Sequence, residues 1–233
     1  MKVVGYLVNH PDGTAGERGL YYNYILASNG LFIEAENPLL AARVPAAECE
    51  VRGLAPMETK VILTYGSIPQ RFFDLALDTF LADPVNEHYV AVTGANGYHF
   101  YVPVQDRSGD SVVYEVGESV VLDIHSHGRM RAGFSGQDNK DENGLKLYAV
   151  VGRLNATPVV KLRVGVYGYF KTLAWGDVFD GSLTGATEFE KEEVITEGDI
   201  HCIPKGYGPE LQHRSSGMWW DRWLRRGRLM PPA

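Results

Sequence analysis

His125, His127 and Asp138 form the pattern in this chain best suited to chemistry. From His125 the sequence reads HSHGRMRAGFSGQD, an H-x-H pair, seven intervening residues, then S-x-x-D from Ser135 to Asp138. Imidazole nitrogen and carboxylate oxygen are ligands that a borderline ion such as zinc accepts together. Three protein ligands leave the fourth tetrahedral position to water, which separates a catalytic zinc from a structural one. An H-x-H pair alone also describes a surface strand with two unrelated histidines; the S-x-x-D at this distance moves the balance to a metal site. A hydrolytic zinc further needs a group that takes a proton from water and returns it to the leaving group. Histidines holding the metal cannot do this. Glu87, at the head of an apolar run that closes at Gly94, is the candidate, though an ordinary exposed glutamate at a strand start has the same local pattern.

These residues need elements to position them. Ser119 to Ile124, SVVLDI, is rich in β-branched and large apolar side chains and reads as a buried strand. Alternation along a strand points His125 and His127 the same way. The glycines of RMRAGFSGQD imply a loop, and a helical turn from Ser135 would return Asp138 over the strand end. Ser67 to Asp83 reads as a helix, with Ser67 as its cap and Pro69 in its first turn. Its apolar stripe is Phe72, Phe73, Ala76, Leu77, Phe80 and Leu81. Asp83-Pro84 ends it and delivers the chain to Glu87. Glu87 to Val104 reads as two strands around Gly94 to Gly97, and Gln105 to Asp110 as a polar loop. Val112 to Val116 fits helix or strand. Leu145 to Leu154 is a strand, and Val159 to Trp175 two more around Gly165 or Gly168. Met1 to Gly66 reads as short strands with turns at HPDG and SNG, interrupted at Asn37-Pro38 and from Pro45 to Glu50.

Glu87 with Gly94 seven residues on, followed by H-x-H-x7-S-x-x-D, resembles the JAB/JAMM (MPN-plus) family of zinc isopeptidases. The resemblance implies that His125, His127 and Asp138 hold Zn2+, that Glu87 is the general acid/base, and that Ser135 helps polarise the scissile carbonyl. It departs from the family's pattern at Val90, where a second glycine is usual. The pattern of elements is α/β, the resemblance implies a curved central sheet flanked by helices, similar to cytidine deaminases, and the strands of Met1 to Gly66 are read as an N-terminal β-rich unit. The expected organisation is 1–66 as that unit, 67–175 as the metalloprotease-like domain and 176–233 as a C-terminal extension. The whole chain further resembles the protein A family of the bacterial PRTRC cassette, named for its ParB-related and ThiF-related members. The implied substrate is a peptide or isopeptide bond at the tail of a ubiquitin-like or sulfur-carrier-type protein, with an E1-like (ThiF-related) cassette partner. A non-catalytic MPN-type scaffold is the alternative, since relatives sharing a fold often bind without cleaving.

Composition bounds the remaining classes. The chain has 233 residues and a net charge of −7, which argues against broad nucleic-acid binding. No apolar run approaches 18 residues, so a membrane span is not expected, and the start lacks a signal peptide's long apolar centre. Two cysteines, Cys49 and Cys202, are too few for a disulfide framework, which points to a reducing cytoplasm. Two histidines and a carboxylate also describe non-haem iron oxygenases, but those more often use H-x-D/E with a remote histidine. The deaminase pattern needs H-x-E and C-x-x-C, and both are missing. Asp123 could orient a ligand histidine, or sit in water near the strand end, the favoured expectation. Asp141 and Glu142 are expected to be solvated and His88 structural; His201 and His213 fit no ligand spacing. Trp219, Trp220 and Trp223 beside Arg222, Arg225, Arg226 and Arg228 describe a partner or nucleic-acid patch or, the favoured reading, a tail packed on the domain.

Overall fold

The computed structural model describes residues 2–107, 112–114 and 119–189. They form a strand-dominated α/β architecture built on two large sheets. The N-terminal sheet holds β1 (Val4–His10), β2 (Gly13–Glu17), β3 (Tyr22–Ala27), β4 (Gly30–Glu36), β5 (Leu40–Ala47) and β6 (Lys60–Leu63), in the order β2-β1-β3-β4-β5-β6. Only β1 and β3 run parallel. The HPDG and SNG turns fall between β1 and β2 and between β3 and β4. Pro45, expected to interrupt, lies inside β5, next to an irregularity of the β4–β5 register at Leu31/Phe32. A bulge of this kind is where a sheet accepts a proline.

Helix α1 (Gln70–Ala82) follows and leads into β7 (Tyr89–Gly94) and β8 (Tyr98–Tyr101), the pair expected around Gly94 to Gly97. Phe72, Phe73, Ala76, Leu77 and Phe80 are buried as the stripe required, but Leu81 is exposed. Ser67 does not cap the helix. The Gln70 N–H donates instead to Asp180 Oδ1 at 2.8 Å, a cap supplied from the far end of the domain. The Gln105 stretch begins as strand rather than loop: β9 (Gln105–Arg107) pairs antiparallel with β10 (Val112–Tyr114).

The chain then forms β11 (Val120–Ser126), the one-turn helix α2 (Asp138–Asp141), β12 (Leu145–Gly152), β13 (Val159–Val166), β14 (Tyr169–Leu173) and β15 (Thr187–Glu188). The second sheet runs β14-β13-β12-β11-β7-β8, with β15 beside β13. β11 and β12 are parallel, so the segment joining them must cross from one end of the sheet to the other. That crossing carries Ser135 and Asp138.

Alternation gives the second sheet two different faces. Leu145, Leu147, Ala149 and Val151 of β12 and Val160, Leu162, Val164 and Val166 of β13 point into the main core. There they meet the stripe of α1 and Ile33, Ala35, Leu40, Ala42 and Val44 of the N-terminal sheet. The opposite face carries Tyr89, Asp123, His125, Tyr148 and Arg163. Among the described residues a flanking helix of any length, α1, covers only the first face; the crossing segment and single-turn α2 lie over the other. No helix of the described residues is long and apolar enough to cross a membrane. Cys202, His201, His213 and the Trp/Arg-rich tail lie outside the described residues.

Candidate metal centre

The centre is assembled at one end of the second sheet, where β11 finishes and β7 begins. These strands are antiparallel, with His125 opposite Tyr89. The Ser126 N–H donates to the His88 carbonyl at 2.8 Å, and the His88 N–H donates to Ser126 Oγ at 3.0 Å. Continuing that register brings Glu87 opposite His127, and pleat parity puts Glu87, His125 and His127 on one face. On the other side of β11, the His127 N–H donates to the Val151 carbonyl at 2.8 Å, so the second histidine is still held by the ladder after the strand has ended. Glu87 is 9% exposed, almost enclosed rather than the free surface carboxylate of the bland expectation.

Asp138 arrives from the crossing segment. Its carboxylate accepts the Ser135 N–H at 2.5 Å, while Ser135 Oγ accepts the N–H groups of Gln137 and Asp138 at 3.2 and 3.1 Å. This reciprocal exchange is a capping box with aspartate in the glutamate position. It explains the S-x-x-D spacing locally: the serine starts the turn that carries Asp138. Ser135 itself is exposed, and its hydroxyl proton is not used by these bonds.

The three side chains converge. His125 Nε2 and His127 Nε2 are 3.1 Å apart; Asp138 Oδ1 lies 3.7 Å from the first and Oδ2 3.8 Å from the second. Zinc–nitrogen bonds of about 2.0–2.1 Å at tetrahedral angles separate neighbouring donors by about 3.3 Å. The observed separations bracket that value, so the donor set fits one small divalent ion, and these three form the group with metal-binding geometry among the described residues. The protonation state agrees. Burial pushes the His125 imidazole down, to about 4; Asp138 pulls it up, while His127 and Arg163 push it further down. A neutral imidazole keeps the lone pair that a metal needs.

Several neighbours differ from their sequence expectations. Asp123 is not in water: it is 8% exposed, accepts a short hydrogen bond from the Tyr89 hydroxyl and lies 3.3 Å from Lys146 Nζ. Burial pushes its carboxyl up, and Lys146 and Tyr89 draw it back down. Glu142 is likewise buried, and it pairs with Arg163. Burial drives its carboxyl up, to about 7, against the pull of that guanidinium. Asp141 is exposed as expected. His88 is structural: it is 1% exposed, its Nε2 is 2.9 Å from the Asp83 carbonyl oxygen, and its ring packs near Phe80.

Sequence reasoning passed over two supports of the centre. Gln105 clasps the backbone of Tyr89, two residues from Glu87: its Oε1 accepts the Tyr89 N–H and its Nε2 donates to the Tyr89 carbonyl, both at 2.9 Å. Arg163 reaches across from β13 to the segment that bears Asp138. Neither had a local signal, because each acts on a residue distant in sequence.

Residues 54–164 match the family model described as prokaryotic homologs of the JAB domain, a span that includes Glu87, His125, His127, Ser135 and Asp138. No curated protein matches the chain.

Proposed function

We propose that this chain, whose residues 54–164 are a JAB-family domain, is a zinc-dependent hydrolase that cleaves a peptide or isopeptide bond. The observation that carries the reading is the convergence of two imidazole nitrogens 3.1 Å apart with the Asp138 carboxylate, on the sheet face that Glu87 shares. His125, His127 and Asp138 would hold the ion. Zinc in such a site lowers the pKa of a water toward about 7 and polarises a carbonyl. Glu87 accepts the proton released as water attacks and delivers it to the departing amine. Its near-complete enclosure suits a group that must carry a proton twice. The Ser135 hydroxyl, uncommitted as a donor in the capping box, is the donor offered to the developing oxyanion.

The proposed substrate is the C-terminal tail of a ubiquitin-like or sulfur-carrier-type protein, with an E1-like enzyme as companion. This follows from the resemblance of the Glu87, H-x-H and S-x-x-D pattern. A cytoplasmic setting agrees with Cys49, an exposed free thiol. The test uses the full chain, its metal content, and a carrier protein extended by a short peptide at its C terminus. Wild type is expected to hold one zinc and cleave the extension. Glu87→Gln should keep the zinc and lose turnover by about 10²- to 10⁴-fold; His125→Ala should lose both. Undiminished cleavage by Glu87→Gln refutes the assigned role. Zinc binding with no turnover of any extended carrier favours the scaffold.

A further inference from the structure

Asp138 belongs to an element that cannot place itself. α2 is a single turn of four residues, far below the length at which a helix holds its own shape in water. The capping box fixes the turn internally but does not dock it on the sheet. We propose that Arg163 is the positioning residue that holds Asp138 at the metal centre, an inference that rests on the zinc reading above.

Arg163 lies on β13, two strands from His125, and is 6% exposed. Its Nε donates to Glu142 Oε2 at 2.8 Å, with a second guanidinium nitrogen on the same oxygen, and a third donates to Asn139 Oδ1 at 2.7 Å. One flat face stacks on Phe134, at 3.6 Å to the ring centroid, and Phe170 of β14 lies 3.8 Å away. Phe134, Asn139 and Glu142 bracket Asp138 along the chain. One buried side chain thus grips the ligand's segment before, beside and after the ligand. Phe134 also meets the His125 ring edge-on at 6.3 Å, so the same clamp reaches the wall of the histidine pair. Arginine alone combines a planar fork of donors with two stacking faces; lysine offers the charge without either.

Two buried charges also invite a purely structural account, and the test must separate the two. Zinc affinity of the full chain is measured by competition with a chromogenic chelator, beside thermal unfolding of the zinc-free protein. Arg163→Lys should weaken zinc binding about 10- to 100-fold, the usual effect of losing a residue that orients a ligand. The double variant Arg163→Met/Glu142→Leu removes both charges and strands neither, so its zinc-free form should melt close to wild type. Its zinc affinity should fall as far as that of Arg163→Lys. Asn139→Ala, a change at an exposed position, should fold normally and weaken zinc by a smaller factor. Wild-type zinc affinity in the double variant, or in Arg163→Lys, overturns the inference. So does a loss of affinity that follows the loss of zinc-free stability across the series. A wild-type chain that takes up no zinc removes the hydrolase reading itself, a distinguishable failure, because His125→Ala then has nothing to lose.

Discussion

Replacing Gly152 with alanine tests how tightly the loop between His127 and Asp138 is pressed onto the sheet. Gly152 ends β12, beneath the loop that leaves His127. A Cβ there would stand 2.4 Å from Ala132 N, 2.5 Å from Met130 O and 2.6 Å from Arg131 C. All three are backbone atoms, so no rotamer change relieves the clash. Ordinary carbon contacts lie at about 3.5–4.0 Å, which leaves a shortfall of about 1 Å. The loop cannot easily retreat, because Met130 O accepts the Arg153 N–H at 2.7 Å and Gly128 O accepts the Leu154 N–H at 2.9 Å. Forcing a methyl into such a contact costs about 1–3 kcal/mol. The more telling consequence is positional. The displaced segment lies between the two histidines and Asp138, and a metal site tolerates donor errors of only about 0.2 Å. Even a fraction of the displacement, passed along the loop, would misplace Asp138, the third proposed ligand. Gly152→Ala should therefore lower the unfolding midpoint and weaken zinc binding about 10-fold or more, read by chelator competition and thermal melting. A variant with the midpoint and the zinc affinity of wild type refutes the close approach of loop and strand.

Three further outcomes are expected. Asp180→Ala removes the acceptor of the Gln70 N–H and should cost about 1 kcal/mol of stability, seen as a fall of about 2–4 °C in Tm with zinc content unchanged. Tyr89→Phe strips a hydroxyl donor from the buried Asp123 carboxylate and should cost about 1–3 kcal/mol; a denaturant midpoint equal to wild type would contradict that pairing. Glu34 supplies the pH dependence of the N-terminal sheet. Burial pushes its carboxyl up, but hydrogen bonds and charge from Arg18 and Arg43 outweigh this and hold it below the ordinary 4.5. Because the folded value lies below the unfolded one, its contribution is fully present above about pH 4.5 and is lost as pH falls through the lowered folded value. Glu34→Gln should flatten that part of the acid limb in melts taken from pH 6 to 3, and an unchanged limb would assign the acid sensitivity to other carboxylates.

The convergence of His125, His127 and Asp138 was legible because it depends on residue type and on short-range geometry. A strand places His125 and His127 on one side, and a serine three residues before an aspartate starts a turn; both facts are local. The β7–β8 hairpin and the strands from Leu145 to Leu173 were legible for the same reason: apolar alternation and turn residues act over a few positions. The misreadings at Ser67, Asp123 and Glu142 each involved a partner remote in sequence. Ser67 had the right type and place for a cap, yet Asp180 took the role. Asp123 and Glu142 read as solvated because charged residues usually are, and each is instead enclosed beside a cation on another strand, Lys146 or Arg163. Arg163 was passed over rather than misread. In VVKLRVGV it alternates with Val160, Leu162, Val164 and Val166, so it reads as the water-facing side of a one-sided strand. That side is covered by Phe170 of β14 and by Phe134, which the crossing segment brings there. The division has a physical basis. The three side chains that could hold an ion have a chemistry that can be recognised one residue at a time. The accuracy of the hold is set by the residues around them, which have no chemistry of their own to announce. Substitutions at Gly152, Asn139 or Arg163 should therefore change how well the metal is bound while leaving every recognisable motif residue in place.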